Sequence, residues 1–211
     1  MSSKTDKMIS KNQLMRLPLY LNYLKKILGD GIETISSPII AKDLHLSEEQ
    51  VRKDIAAVSS IEGKPKAGRD IKTLIQDIEE FLGYNVVIPA VLVGVGNLGS
   101  ALLGYKGFTA YGIDILMGFD ANRELDGKVI SGKRVYYIKN LSLLCRIMDV
   151  KIGIITVPAA HAQKVCDELV EAGVKAIWNF APVHLSVPDD VLVQNENMAA
   201  SLAVLSRNLI K

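Results

Sequence analysis

Residues Gly94–Gly99 spell Gly-Val-Gly-Asn-Leu-Gly, a match to the pattern G-x-G-x-x-G. They directly follow the apolar run Ala90–Val93, which is typical of a fully buried strand, and directly precede a helical pattern. In this context the first glycine permits a tight turn, the second lets a pyrophosphate approach the backbone, and the third permits close packing of helix on strand. The free N–H groups at the start of the helix favour an anion. The stretch therefore predicts a dinucleotide-binding turn, whereas a glycine-rich turn without a ligand is the alternative.

An acidic residue follows at the separation that ribose recognition requires. The candidate strand Ile113–Phe119 is followed by Asp120, which lies 21 residues after Gly99. A carboxylate there can accept hydrogen bonds from both ribose hydroxyls of NAD and would repel the extra phosphate of NADP. Asp114 is a second acidic candidate, but it falls in the middle of the strand. The sequence thus predicts NAD(H) as the cofactor.

The chain after residue 83 alternates candidate strands with candidate helices. Such alternation is typical of parallel βαβ units and predicts an α/β, Rossmann-like domain. Besides the strands already named, the candidate strands are Arg134–Ile138, Ile152–Val157 and Ala176–Asn179, and the candidate helices are Leu98–Leu103, Leu141–Met148 and Ala160–Ala172. A polar break at Gln194–Asn197 precedes a final helix, Met198–Lys211. The apolar stripe of this helix is expected to be buried either in the core of its own chain or on a partner subunit.

The first 83 residues predict helices of a different organisation. Ile9–Leu28 has the apolar spacing of a helix, which is expected to begin near Pro18 or to bend there. Ser37 is expected to cap a short helix with proline at its first position. Ser47 begins a capping-box pattern that opens the next helix, and Ile71–Leu82 predicts a last one.

Two short helices joined by a tight turn are the outline of a helix-turn-helix. The second helix has its apolar face at Val51 and Ile55, and its outward residues are predicted to be Gln50, Arg52, Lys53 and Asp54. The turn-rich basic segment 62–69 suits the wing of a winged helix. Residues 52–72 contain six basic and three acidic residues, a modest positive charge for a DNA-binding face. Because helix-turn-helix shapes also serve as packing units, this pattern alone leaves DNA binding open.

Composition excludes several classes of protein. An apolar content of 49% excludes a disordered chain. The N-terminus lacks the apolar core of a secretory signal, and the most apolar stretch is too short for a membrane helix. Two cysteines and three histidines are scattered, so neither a disulfide framework nor a metal site is expected. These observations predict a cytoplasmic protein without metal or membrane.

The length after residue 83 bears on catalysis. Its 128 residues barely exceed a bare dinucleotide fold, so no separate substrate domain is visible and nucleotide sensing is favoured over catalysis. A small NAD-dependent oxidoreductase that uses His161 or Tyr105 as its acid–base group is the alternative.

The order of these features resembles the Rex family of redox-sensing transcriptional repressors. The motifs that carry the resemblance are Arg16-Leu17-Pro18 with Tyr20, Gln50-Val51-Arg52-Lys53-Asp54, Gly94–Gly99, Phe119-Asp120, Thr156-Val157-Pro158-Ala159, Asn179-Phe180-Ala181-Pro182-Val183 and Ala200-Ser201-Leu202. The resemblance implies a winged-helix DNA-binding domain over 1–83, a Rossmann NAD(H)-binding domain over 84–195 and a domain-swapped dimerisation helix over 196–211. It further implies a homodimer on a pseudo-palindromic operator, which NADH binding releases. A related sensor with altered DNA binding is a further alternative.

The resemblance also assigns residues to sites. For the nucleotide these are Gly94, Gly96, Asn97, Leu98, Gly99 and Asp120 on the adenosine and pyrophosphate side, and Tyr105, Val157, Pro158, Asn179, Phe180, Ala181 and Pro182 on the nicotinamide side. For DNA they are Gln50, Arg52 and Lys53 of the recognition helix and Lys64, Lys66 and Arg69 of the wing. An interdomain switch is implied for Arg16, Tyr105 and Asn197, where Asn197 replaces a family aspartate. The wing and the end of the recognition helix also depart from the family pattern, which predicts altered operator choice.

Overall fold

The computed structural model describes residues 9–60 and 68–209. The chain divides into an N-terminal unit, Met1–Asn85, and a C-terminal unit, Val86–Lys211. Each unit has its own hydrophobic core, so each is described by itself. Lys64 and Lys66 of the predicted wing lie outside the described residues.

The N-terminal unit is a group of helices with one short antiparallel ribbon. Its elements are α1 (Lys11–Gly29), β1 (Thr34–Ile35), α2 (Ser37–Asp43), α3 (Glu48–Val58), β2 (Arg69–Asp70) and α4 (Ile71–Leu82). β1 pairs with β2 across the base of the predicted wing. The core takes apolar residues at helical spacing from every helix, among them Leu17, Leu21, Leu24, Ile40, Val51, Ile55, Leu74 and Ile78.

Two helix starts differ from the sequence-based expectation. A capping box fixes the start of α1, because the Ser10 side chain accepts from the Gln13 N–H and the Gln13 side chain accepts from the Ser10 N–H. The expected start near Pro18 is therefore wrong, and Pro18 lies inside the helix. The N-cap of α2 is Ser36 rather than Ser37, so the proline occupies the second helical position. Ser47 caps α3 as predicted.

The C-terminal unit is a mostly parallel sheet with helices on both faces, which confirms the predicted fold class. Its elements are β3 (Ile88–Val93), α5 (Asn97–Leu103), β4 (Ile113–Asp120), β5 (Val129–Ile130), β6 (Lys133–Tyr137), α6 (Leu141–Ile147), β7 (Ile152–Ile155), α7 (Ala159–Glu171), β8 (Ala176–Asn179), β9 (Leu192–Asn195) and α8 (Met198–Leu209). The strand order is β5-β6-β4-β3-β7-β8-β9, in which β5 and β6 pair antiparallel and the other neighbouring strands pair in parallel.

The order of the strands reverses at β3. The chain first runs outward from β3 through β4 and β6, then returns to the other side of β3 with β7, β8 and β9. The crevice between the carboxyl ends of β3 and β7 is thus a topological switch point, where α/β sheets bind their ligands. Successive residues of β3 are buried on opposite faces, with Val91 and Val93 in one core cluster and Ala90 and Leu92 in the other.

The last strand was not expected from the sequence. Gln194 and Asn195, predicted as part of a polar break, pair with Trp178 and Asn179 as the end of β9. The prediction failed because β9 lies at the edge of the sheet, where its polar side chains remain largely exposed. α8 follows, and its apolar side chains are exposed, with Met198, Leu202, Leu205 and Leu209 each at least 61% exposed.

Candidate nucleotide and DNA sites

The glycine loop lies at the switch point and requires glycine at two positions. Gly94 has φ +100°, and a Cβ atom there would lie 2.9 Å from the Thr156 backbone. A Cβ atom at Gly99 would lie 1.9 Å from the Gly94 carbonyl oxygen. Both contacts arise inside the protein itself, so these glycines allow the loop, the start of α5 and the end of β7 to approach one another.

Gly96 meets a different requirement. A Cβ atom there would have no protein heavy atom within 4 Å among the described residues, and its φ of −76° is available to any residue. Gly96 is the N-cap of α5, and Asn97 and Leu98 are the first residues of the helix. The first N–H groups of a helix have no partner within the helix, and these groups together with the space above Gly96 are what a pyrophosphate needs.

Thr156 supports this loop and was missed as a site residue by the sequence analysis. Its hydroxyl lies 2.7 Å from the Gly94 carbonyl oxygen and 3.1 Å from the Val93 carbonyl oxygen. The hydroxyl therefore ties the end of β7 to the first glycine. Its position directly after a buried strand, next to the glycine-bearing strand, is the signal that could have revealed it.

Asp120 ends β4, and its carboxylate lies against the glycine loop. Oδ2 accepts from the Val95 N–H at 2.7 Å, and Oδ1 accepts from the Asn122 N–H at 2.8 Å. Each carboxylate oxygen has a further lone pair with which to accept from a ribose hydroxyl. The rival carboxylate, Asp114, is paired with Lys133 at 2.8 Å instead.

The residues implied for the nicotinamide side lie in three places in the C-terminal unit. Val157 and Pro158 connect β7 to α7. The segment Asn179–Pro182 begins at the last residue of β8, the fully buried Asn179. The Asn179 side chain accepts from the Ala181 N–H at 2.9 Å and donates to the carbonyl oxygens of Ala181 and Val183. Tyr105 follows α5, is 58% exposed, and packs edge-on against Phe108.

α3 presents the residues implied for DNA contact. Arg52 and Lys53 are exposed, and each pairs with the glutamate one turn earlier, Glu48 and Glu49 respectively. Gln50 is half-buried. Acidic residues in the first turn complement the helix dipole, while the cations at the following turn stay on the surface. At the base of the wing, the Arg69 guanidinium donates to the Ser59 hydroxyl at 2.9 Å, next to the end of α3.

Asp54 is the one outward residue that was predicted wrongly, because it is only 1% exposed. Its carboxylate accepts from Arg16 Nε at 2.7 Å, from Arg16 Nη2 at 2.9 Å and from the Tyr20 hydroxyl at 2.7 Å. Burial would raise the pKa of Asp54, but the hydrogen bonds from Arg16 and Tyr20 outweigh it and hold the pKa below its usual value. A bidentate pair therefore anchors α3 to α1.

The three residues implied for an interdomain switch have partners within their own units. Arg16 pairs with Asp54, and Tyr105 with Phe108, as described. Asn197 is the residue before α8, and its side-chain oxygen accepts from the Ala200 N–H at 2.9 Å, as an N-cap does. These contacts show what each side chain does locally, and the switch stays a prediction.

Residues 9–60 and 68–209 also bear on the requirements of a metal site, a membrane-spanning helix and a disulfide. This part of the chain contains no group of three or more histidine, cysteine or acidic side chains that could hold a metal ion. Among the same residues, no helix is both long and apolar enough to cross a bilayer. Cys145 and Cys166 are free and buried, and burial raises the pKa of each thiol to about 11.

Comparison with family models divides the chain in two. A model described as a putative DNA-binding protein N-terminus matches residues 8–56, and a model described as a CoA binding domain matches residues 85–183. The first match spans α1, α2 and most of α3, and the second spans the glycine loop and Asp120.

Relatives that match nearly the whole chain are transcriptional repressors. A "Redox-sensing transcriptional repressor Rex" from Treponema denticola is 43% identical over 190 residues, which are 90% of each chain. Crystal structures of RSP, described as a Rex-family repressor, also resemble this chain. The RSP complex with beta-NAD+ and operator DNA has a TM-score of 0.91 at 32% identity, covering 96% of this chain and 93% of that one. The complex with beta-NADH has a TM-score of 0.85 at 31% identity, covering 96% and 94%.

Proposed function

The chain belongs to the Rex family of redox-sensing transcriptional repressors, and on that premise we propose that it binds NAD(H) at the glycine loop and releases operator DNA when NADH occupies this site. It acts in the cytoplasm as a regulator, and nucleotide binding serves sensing rather than turnover. The observation that carries the proposal is the loop Gly94–Gly99 at the topological switch point, with open space above Gly96 and a carboxylate at Asp120.

The nucleotide is proposed to lie along the carboxyl edge of the sheet. Gly96, Asn97 and Leu98 supply the helix N-terminus for the pyrophosphate, and Asp120 accepts from the ribose. The segment Asn179–Pro182 lies two strands away from the loop, with Tyr105, Val157 and Pro158 assigned to the same nicotinamide side by the resemblance. RSP has been crystallised with both beta-NAD+ and beta-NADH, which supports the choice of nucleotide.

DNA is proposed to bind through α3 and the wing. Arg52 and Lys53 are exposed cations on the second helix of the helix-turn-helix, and Arg69 lies at the base of the wing. Lys64 and Lys66 extend this assignment to the wing itself. Because the recognition helix of such motifs enters the major groove, Gln50 and Arg52 are assigned to base edges and the lysines to phosphates.

A homodimer is proposed to read two half-sites of a pseudo-palindromic operator. The exposed stripe of α8, formed by Met198, Leu202, Leu205 and Leu209, supports this because an apolar stripe in water is normally covered by a partner. A two-fold dimer carries two recognition helices and therefore matches a palindromic site.

The test is a DNA-binding titration of the full chain at fixed salt, with operators selected from random-sequence duplexes. NADH is expected to weaken binding, and NAD+ is expected to permit it. Gly96→Ala is the test variant, because its Cβ atom would meet no heavy atom of the described residues within 4 Å but would occupy the space assigned to the pyrophosphate. The variant is expected to bind operator with no response to NADH. Selection of no duplex, or an equal NADH response in Gly96→Ala, contradicts the proposal.

The oxidoreductase alternative makes a separate prediction. His161, in the first turn of α7, and the exposed Tyr105 are its candidate acid–base groups. The purified protein would then oxidise NADH steadily with a small carbonyl substrate, and His161→Ala or Tyr105→Phe would abolish this activity. That result would favour an enzyme over a sensor.

A further inference from the structure

Two consecutive side chains of β8 hold the residues that lead into α8. The Trp178 indole N–H donates to Glu196 Oε1 at 3.0 Å, and the Asn179 amide donates to Asn195 Oδ1 at 2.9 Å. The Glu196 N–H also donates to the Asn179 carbonyl oxygen at 2.8 Å. Three hydrogen bonds thus fix the chain just before the N-cap of α8.

Glu196 lies in the same transverse row as the glycine loop. Val93 is in register with Ile155, Ile155 with Asn179, and Asn179 with Asn195. The residues that follow these positions, Gly94, Thr156, Phe180 and Glu196, therefore form one line across the carboxyl edge of the sheet. Along this line the N–H groups of Thr156, Phe180 and Glu196 each donate to the neighbouring strand, at 2.9, 2.9 and 2.8 Å. The edge proposed to bind the nucleotide therefore continues to the start of α8.

Trp178 also belongs to a chain of aromatic rings that ends at an exposed tyrosine. Its ring lies 4.5 Å from that of Phe180 and 5.7 Å from that of Phe108, and the Phe108 ring lies 4.9 Å from that of Tyr105. All three contacts are edge-to-face. Because the rings are in contact, a shift of Tyr105 or Phe180, both proposed to lie at the nicotinamide side, would displace Trp178.

We propose that Trp178 and Glu196 are positioning residues for the nucleotide response, which set the direction in which α8 leaves the sheet. The inference rests on the proposed function, because it requires nucleotide at this edge. The indole is held by rings on one side and by a hydrogen bond to a carboxylate on the other. A displacement of the rings lengthens or bends that hydrogen bond, which weakens steeply with poor geometry. The start of α8 is then held by the two remaining hydrogen bonds of Asn179, to Asn195 and from the Glu196 N–H, and can move more easily.

The test measures NADH affinity of the full chain with and without operator DNA. The ratio of the two dissociation constants is the coupling between the sites, and coupling factors of about 5–150 are typical. Glu196→Leu and Trp178→Phe are each expected to lower this ratio to within about twofold of one, while NADH affinity without DNA changes by less than about threefold. Glu196→Gln retains an acceptor for the indole and is expected to preserve most of the ratio.

The double variant Trp178→Phe/Glu196→Leu separates a shared contact from two independent effects. The pair is expected to lower the ratio no further than either change alone, because both remove the same hydrogen bond. If the ratio of NADH dissociation constants is above one in the wild-type protein and both single variants retain it, this inference is overturned and the proposed function is not. A wild-type ratio of one overturns both this inference and the proposed function. Equal losses in NADH affinity with and without DNA would assign these residues to nucleotide binding and also overturn the inference.

A fluorine NMR label provides a second measurement, since Trp178 is the sole tryptophan of the chain and can be replaced by 5-fluorotryptophan. The fluorine resonance, unlike the tryptophan emission, is not obscured by the absorption of NADH. Saturating NADH is expected to shift the resonance of the wild-type protein and to shift that of Glu196→Leu less. If calorimetry shows that NADH is bound and the wild-type resonance does not move, the proposed displacement of the ring is overturned.

Discussion

The glycine loop and α3 present their chemistry in opposite ways. The loop is positioned by close contacts between backbone atoms, and Asp120, whose carboxylate contacts the loop, is held by two backbone N–H groups. α3 is positioned by charge, since Asp54 is buried against Arg16 and Tyr20, and its surface cations are paired with glutamates.

This difference determines which substitutions and which changes of salt or pH each site tolerates. A loop packed on backbone cannot accept a single added carbon where the approach is closest, but it depends little on ionic strength. A helix that is anchored by a buried ion pair and carries surface cations tolerates changes of side-chain shape at its surface. Its stability depends on pH and its affinity for DNA depends on salt. The predictions below test this contrast, from the largest expected effect to the smallest.

The largest effect is expected at Asp54. Asp54→Ala leaves the largely buried Arg16 guanidinium without its partner, which is expected to lower the free energy of unfolding of the N-terminal unit by about 3 kcal/mol. Urea unfolding of the full chain measures the loss. Asp190→Asn, which removes an exposed partner of Lys175, is the control and is expected to cost about 0–1 kcal/mol. Equal effects from the two changes would mean that charge does not anchor α3.

The next effect is expected at Gly99. Gly99→Ala places a Cβ atom against the Gly94 carbonyl oxygen, so the loop must shift, at a cost of about 1–3 kcal/mol in the stability of the C-terminal unit. Gly96→Ala is expected to leave stability within about 0.5 kcal/mol, because its Cβ atom points into open space. Both variants are expected to lose NADH binding in calorimetry. A Gly99→Ala protein as stable as Gly96→Ala contradicts the steric account of the loop.

A smaller effect is expected from the salt dependence of DNA binding. Lys53→Ala removes one phosphate contact, so the slope of log K against log salt is expected to become shallower by about 1, with NADH affinity unchanged. Lys164→Ala is the matched control, since Lys164 forms the same kind of ion pair one turn apart on α7. A slope that responds equally to both changes would remove Lys53 from the DNA interface.

The smallest effect is expected in the stability of the N-terminal unit at acidic pH. Because the folded protein holds the pKa of Asp54 below the ordinary value of 3.8, the carboxylate contributes stability that is present above that value and is lost as the pH falls through the lower, folded-state pKa. Unfolding of the N-terminal unit below about pH 4 is therefore expected to steepen in the wild-type protein relative to Asp54→Asn. Parallel pH profiles for the two proteins would contradict the depressed pKa.

Local patterns predicted most of the fold. The helix Ile71–Leu82 and the strand Ala176–Asn179 have the predicted bounds. The helix has a strong apolar periodicity and the strand is a short apolar run, and each pattern can bury its apolar side chains in one conformation. The helix Ile9–Leu28 was predicted, but the alternative that it begins near Pro18 was wrong, because the capping box at Ser10 rather than the proline sets the start of α1. β9 was missed because it is an edge strand, which is held by backbone hydrogen bonds to one neighbour and therefore lacks the apolar pattern that reveals a buried strand.

The sequence by itself determined the kinds of element and the chemistry they carry: the glycine loop after a buried strand, the capped second helix with its cations, and an apolar final helix. Only the tertiary structure decided which polar groups meet. It buried Asp54 on Arg16 and Tyr20, placed Thr156 under Gly94, and brought Glu196 to Trp178. The physical reason is that periodicity is a property of neighbouring residues, whereas these contacts join residues 18 to 62 positions apart, through strand register and helix packing.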